Sequence, residues 1–173
     1  SIPEMLFSLN TNFSYKNFSL GMLWQGASKF NVLVSAGARN PFDNETVPYT
    51  LHEQFSWRQD VSNPGIGSNP NAQLPAFDRN GARIWNEAAS DFWLKDGTYL
   101  RLKTANMNYR FSPEVLEKLK LNNLEIYIAG DNLMTFSRLG IFNDIIDPEE
   151  ASNTSGLTLP ILRTFTLGMR IGL

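Results

Sequence analysis

From Phe7 to Tyr15 the chain alternates without error. Phe7, Leu9, Thr11, Phe13 and Tyr15 hold one parity, and Ser8, Asn10, Asn12 and Ser14 hold the other. A period of two puts successive side chains on opposite faces of an extended chain, so this segment predicts a strand with one apolar face. Lys16-Asn17 reads as a tight reversal. After it, Phe18, Leu20, Met22 and Trp24 share a face against Ser19, Gly21 and Gln25, with Leu23 the exception. The last residues repeat the pattern: Phe165, Leu167, Met169, Ile171 and Leu173 alternate with Thr164, Thr166, Gly168, Arg170 and Gly172. Leu124–Asp131 sets Leu124, Ile126 and Ile128 against Glu125, Tyr127 and Asp131. In Thr98–Phe111 the parity switches, with Leu100 and Leu102 on one and Met107, Tyr109 and Phe111 on the other. A β-bulge or a change of environment near Thr104 would produce that switch.

About five strands result, and two architectures accommodate them. In a soluble β-sandwich each apolar face meets a second sheet. In a transmembrane barrel the apolar face meets lipid and the polar face meets the interior. Strands of about 9–11 residues match a tilted bilayer crossing better than the usual mode of 5–6. Aromatics near strand ends (Phe7, Tyr15, Phe18, Trp24, Tyr109, Phe111, Phe165) suit an interfacial girdle. The connections run short at Lys16-Asn17, long from about 27 to 97, short through a capped helix at Ser112-Pro113-Glu114, and long from about 133 to 162. Short turns on one side and long loops on the other are the rhythm of an outer-membrane barrel. Its known single-chain members start at about eight strands, so the chain reads as one part of a larger barrel.

Composition narrows the chemistry. Among 173 residues, 15 Lys+Arg oppose 17 Asp+Glu, a formal net charge of −2, which gives no basic surface for nucleic acid. No cysteine is present, which removes thiolate metal sites and Cys nucleophiles, and one His weakens a Ser-His-Asp arrangement. Charged residues make up 18%, below the roughly 25% of soluble domains, and aromatics 12%. No apolar run is long enough for a transmembrane helix, a test that leaves barrels untouched. Ser1-Ile2-Pro3-Glu4 does not open as a signal peptide.

The long loops hold the remaining candidates. Tyr49, Trp57, Trp85, Phe92 and Trp93 could stack on sugar rings or anchor a partner; packing of the loop against itself is the favoured reading. Asn63-Pro64, Asn69-Pro70-Asn71 and Leu74-Pro75 mark turns. Gly65-Ile66-Gly67 lacks the Lys and helix of a phosphate loop. Asp144, Asp147, Glu149 and Glu150 offer oxygen ligands for calcium without EF-hand spacing, so a solvated acidic loop and no cofactor are expected. The same carboxylates lack an opposed partner for glycoside hydrolysis. His52 has no partner in sequence and reads as an ordinary loop residue.

Several blocks, in order, resemble the late strands of the SusC/RagA family of TonB-dependent outer-membrane transporters. They are Ile2-Pro3-Glu4, Phe13-Ser14-Tyr15-Lys16-Asn17-Phe18, Trp24-Gln25-Gly26, and the run Ser90-Asp91-Phe92-Trp93-Leu94-Lys95-Asp96-Gly97-Thr98-Tyr99-Leu100-Arg101-Leu102-Lys103. Leu124-Glu125-Ile126-Tyr127-Ile128-Ala129-Gly130-Asp131-Asn132-Leu133, Asp147-Pro148-Glu149, Pro160 and Arg163-Thr164-Phe165-Thr166-Leu167-Gly168 complete them. Leu173 departs from the aromatic usual at the family's end.

The resemblance implies that residues 1–173 are the C-terminal part of a plugged barrel of about 22 strands. It implies import of oligosaccharides or peptides, no enzymatic activity and a bacterial outer-membrane location. The implied partners are the N-terminal remainder of the transporter with its plug, a SusD-like surface lipoprotein, TonB through the missing N-terminal region, and lipid. Asn10, Asn12, Asn106, Asn108, Arg110 and Arg170 are expected to face the interior, and Phe13, Leu20, Met22, Ile126, Leu167, Met169 and Ile171 the lipid. A secreted β-sandwich that binds carbohydrate, or a SusC-like barrel serving an assembly or secretion complex, stay open at this point.

Overall fold

The computed structural model describes residues 2–39, 48–63, 65–77, 86, 88–150 and 161–173. Trp85 and Pro160, singled out in the sequence, lie outside the described residues. The chain divides into two compact units, a sheet unit (3–29, 98–137 and 160–173) and a loop unit built from the two long connections.

Five antiparallel strands form the sheet unit: β1 (Met5–Tyr15), β2 (Phe18–Ser28), β5 (Tyr99–Arg110), β6 (Asn123–Ser137) and β7 (Thr164–Gly172). They lie in the order β1-β2-β5-β6-β7, a meander in chain order. Register turns the period-two sequence into two faces. Phe13 pairs with Leu20, Leu20 with Met107, Met107 with Ile128, and Ile128 with Leu167, so one apolar row crosses all five strands. Tyr15, Phe18, Tyr109, Ile126 and Met169 form the next row toward the short turns. The intervening polar row reads Ser14, Ser19, Asn108, Tyr127 and Gly168.

The switch of parity within Thr98–Phe111 is a bulge. Leu23 pairs with Thr104 but Trp24 pairs with Leu102, which leaves Lys103 as the extra residue of β5. The insertion puts Leu100 and Leu102 back on the face that Met107 and Tyr109 occupy. On the other flank Thr104 pairs with Asp131 and Leu102 with Met134, and β6 accommodates the step at Asn132, whose φ of 52° Asn tolerates better than most residues. The fourth strand is therefore longer than its sequence pattern suggests. It runs on past Asp131 to Ser137, because Met134 and Phe136 rejoin the apolar face beyond the interruption at Asn132-Leu133. The following connection accordingly starts at residue 138 rather than near 133.

The short connections behave as expected. Lys16, at a φ of 51°, makes the β1–β2 reversal. Between β5 and β6, α3 (Pro113–Leu119) starts at Ser112 with Pro at its first turn and stops at Lys120, which adopts the left-handed conformation.

Among the described residues of the sheet unit, the apolar face has no second layer. Phe13 is 60% exposed and Leu167 74%, with Ile128, Met107, Phe165 and Met169 also exposed. A sandwich would bury that row against another sheet, and the sheet unit contains none among the described residues. Among those residues β1 and β7 each pair on one side only, leaving two open edges.

The loop unit builds a small core of its own. β3 (Asn31–Leu33) pairs antiparallel with β4 (Leu94–Asp96), and Trp93, Phe142, Leu139 and Val34 are fully buried. The Trp93 indole N–H donates to the Asn86 carbonyl at 2.8 Å, and its ring meets Phe92 and Phe142 edge to face. Two short helices, α1 (Ala36–Arg39) and α2 (Thr50–Phe55), are joined through His52. Far from being an unpartnered loop residue, His52 is buried and both ring nitrogens are engaged. Nδ1 accepts the Tyr49 N–H at 2.9 Å, and Nε2 lies 2.7 Å from the Ala38 carbonyl. Together these require the neutral ring protonated at Nε2. Sequence gives no sign of this, because the Ala38 contact spans 14 positions.

Burial holds the His52 pKa below its ordinary value, outweighing the Ala38 carbonyl, which favours the charged ring. A depressed folded pKa means that the unfolded segment binds more protons at mildly acid pH. His52 therefore contributes stability that is full above about 6.5 and is lost as pH falls through the folded value. Amide exchange of residues 49–56 in the full-length protein, corrected for intrinsic rates, is expected to show stronger protection at pH 7.5 than at pH 5.5. His52→Gln should flatten that difference.

Candidate functional site

On the polar face, chemistry concentrates toward the short turns. Arg110 pairs with Glu125 across β5–β6, and Glu125 pairs with Arg170 across β6–β7, so one carboxylate sits between two guanidinium groups. Arg170 Nη1 donates to Glu125 Oε1 at 2.9 Å, while Arg110 Nη2 stands 3.7 Å from Oε2. The Glu125 side chain is 10% exposed, against 72% for Arg110 and 63% for Arg170. Removing a carboxylate from water is costly unless cations compensate it, and Arg170 and Arg110 do so from either side.

Next to the triad, Tyr127 lies across Gly168. A Cβ at residue 168 would come within 2.2 Å of the Tyr127 ring, so glycine there is what admits the ring. The Arg170 guanidinium stands 4.9 Å from the centre of that ring, a cation–π position that fixes its direction. Asn108 Nδ2 donates to Ser19 Oγ at 3.3 Å, tying β5 to β2 in the neighbouring row. Arg110, Glu125, Arg170, Tyr127, Asn108 and Ser19 line an open trough of about 880 Å³, whose wall also includes Lys16, Phe111 and Leu116.

The six residues expected to face an interior do share one face. Asn10 lies in the polar row with Thr104 and Asp131, Asn12 in the row with Asn106 and Thr166, Asn108 in the row with Ser19, and Arg110 and Arg170 flank Glu125. Phe13, Leu20, Met22, Ile126, Leu167, Met169 and Ile171 occupy the opposite face. Glu125 and Tyr127, the residues that organise the site, show in the sequence only as members of the polar parity. Their partners lie up to 45 positions away.

The aromatic candidates of the loop unit divide. Trp93 is fully buried and serves the unit's core. Tyr49, Trp57 and Phe92 are 40%, 38% and 46% exposed. Trp57 and Phe92 border a groove of about 520 Å³ whose lining includes Leu74 and Pro75. Lys95 lies 4.8 Å from the Phe92 ring centre and 5.5 Å from that of Phe142, and burial lowers the pKa of its amine. Asn69 donates to the carbonyls of both Gln54 and Ser56 at 2.9 Å, so the Asn-Pro-Asn turn anchors α2 instead of presenting a binding loop. In the acidic loop Asp147 Oδ1 accepts the Glu149 N–H. Among the described residues no three His, Asp or Glu side chains converge on a metal position.

No protein-family model matches the chain. It is 28% identical over 181 aligned positions to TonB-dependent receptor P3 of Formosa agariphila and 23% identical over 181 to TonB-dependent receptor P26 of the same organism, with 98% of the chain covered. The chain spans only 16–17% of the length of these curated relatives. Among solved structures, the RagAB peptide importer in its closed-closed state matches 99% of the chain and 17% of the neighbour's chain, with a TM-score of 0.64 at 16% identity. The open-open state gives 0.58 at 15% identity with the same coverage. At such identities the likeness shows the fold, a five-stranded piece of RagA-type barrel wall. In sequence and fold the chain is thus similar to a segment of a SusC/RagA-type TonB-dependent receptor, as its ordered motif blocks imply.

Glu125→Ala would leave two arginines without their shared anion. It is expected to cost about 1–3 kcal/mol, whereas Arg110→Ala, removing an exposed and distant cation, should cost under about 1 kcal/mol. Heat-induced unfolding of the full-length protein, followed by its gel shift, checks the order.

Proposed function

We propose that the chain forms part of the wall and external loops of an outer-membrane importer driven through TonB, and that it performs no covalent chemistry. One observation carries this reading: a single-layer antiparallel sheet with one bare apolar face and one polar face. The apolar face has aromatics at both ends. The row Phe7, Gly26, Leu100 and Phe136 lies near the long loops, and the row Tyr15, Phe18 and Tyr109 near the short turns. Phe18 and Tyr109 are in ring contact at 4.6 Å, and Tyr109 and Phe111 at 5.0 Å. The two rows lie eight residues apart along β1, about 26 Å of strand, which suits a tilted crossing of the apolar layer of the bilayer. In this reading the apolar face meets lipid, the polar face meets the interior, and the chain is the C-terminal part of the barrel.

The relatives' naming as receptors that depend on TonB supports active uptake across the bacterial outer membrane. The connections at 29–98 and 138–163 then face outward, toward a SusD-like surface lipoprotein. The exposed Tyr49, Trp57 and Phe92 are the contact candidates there. The solved neighbours are named as peptide importers, which favours peptides over oligosaccharides as cargo. TonB acts through the part of the transporter that precedes this chain, whose plug and other strands supply the two missing edges. The sandwich alternative loses its support in the bare apolar face, and no observation favours an assembly or secretion role.

An arginine on the lipid face of such a barrel costs about 2–4 kcal/mol at the midplane and less near the interface, but little in the interior. Leu167→Arg in the full-length receptor is therefore expected to reduce the folded, membrane-inserted fraction. Thr166→Arg, one residue along on the polar face, should assemble normally. Equal loss in both variants, measured by heat-modifiable mobility of outer-membrane fractions, would count against the assignment.

A further inference from the structure

We infer that Arg110, Glu125 and Arg170 form a binding site for a second carboxylate, one presented by a peptide chain lying along the polar face. The inference rests on the interior orientation proposed for that face.

The geometry is that of a primed anion site. Two guanidinium groups converge on one carboxylate, so the triad keeps one uncompensated positive charge. Glu125 is held nearly out of solvent while both arginine side chains remain more than half exposed, so their outer N–H groups point away from the buried anion. Each guanidinium carries five N–H donors. Arg170 commits Nη1 to Glu125, and its contact with Tyr127 is through the face of the ring, leaving donors along its edge. Arg110, at 3.7 Å, makes only a long ion pair and keeps nearly all of its donors. Glu125 and Tyr127 thus act as positioning residues that hold the two forks toward the trough, the planar arrangement that recognises carboxylates. The wall around the triad carries Ser19, Asn106 and Asn108, whose neutral donors and acceptors suit a peptide backbone, and a third cation, Lys16. A purely structural ion pair would need one arginine; the second cation, exposed and loosely paired, is what the structure leaves to be explained.

The carboxylate can come from an Asp or Glu of the transporter's own remaining polypeptide, or from the cargo. Both sources share the chemistry, and one experiment separates them. A benzophenone amino acid is placed at Asn108 of the full-length receptor, the receptor is irradiated in outer-membrane fractions, and the cross-linked product is sequenced by mass spectrometry. The expected product is a peptide segment with an Asp, a Glu or a free C-terminus within about two residues of the link. Its yield should fall about tenfold when Arg110→Gln and Arg170→Gln are combined, the loss that a charge-assisted pair implies. A product within the receptor identifies its own polypeptide as the source, and a short foreign peptide identifies cargo. Heat-modifiable mobility confirms that the double variant is folded, and the milder pair Arg110→Lys and Arg170→Lys, which keeps the charge, should retain part of the yield. An unchanged yield in the folded double-Gln variant, or a product with no carboxylate near the link, overturns the site. A link to a lipid acyl chain instead overturns the interior orientation, and the product itself tells the two failures apart.

Discussion

The rest of the structure depends on the register of five antiparallel strands. Backbone pairing fixes which residues stand side by side, and only one register per hairpin aligns the apolar residues of neighbouring strands into continuous rows. A slip of one residue between β1 and β2 would set Asn12 beside Leu20 and mix the two faces. The bulge at Lys103 belongs to the same constraint. Were Lys103 held in regular alternation instead of bulged out, Leu100 and Leu102 would turn to the polar face and the apolar row would break halfway along β5. The bulge and the step at Asn132 in β6 together keep both faces consistent across all five strands.

That consistency produces two surfaces with opposite demands. A row such as Phe13–Leu20–Met107–Ile128–Leu167 cannot remain in contact with water at tolerable cost, since each exposed side chain forgoes about 1.5–3 kcal/mol of burial. The other face gathers amides, hydroxyls and a buried carboxylate that must be hydrogen-bonded or paired. Glu125 meets the demand through Arg170 and Arg110, and in doing so it aims two cations at the trough. Compensation of one buried anion thus contributes to the cationic character of the polar face.

The loop unit obeys a different logic. Its stability rests on an aromatic core around Trp93 and Phe142, and on main-chain groups satisfied by side chains far along the sequence. His52 and Asn69 both bind carbonyls of other segments. Such connections explain how long loops can hold shape without long ladders, and why a residue such as Trp93, conspicuous by composition, is spent on the core.

The sequence by itself determined the strands, their faces and the connections, because a period of two is a local property that backbone geometry reads directly. It located the bulge near Thr104 for the same reason, as a break of parity within Thr98–Phe111. It also carried the ordered motif blocks whose resemblance matches the fold found. Only the tertiary structure decided where alternation survives an interruption. Leu133 falls off the apolar parity, so β6 reads as ending near Asp131, although pairing with β5 carries it to Ser137. The site was legible only in outline. Asn106, Asn108, Arg110 and Arg170 announce a polar face, but the meeting of Arg110, Glu125 and Arg170 is set by cross-strand register. That register joins residues 45 positions apart, a distance over which no sequence period extends. The sequence alone reads His52 as an ordinary loop residue, because its carbonyl partner is chosen by chain folding, and main-chain acceptors leave no mark in a sequence.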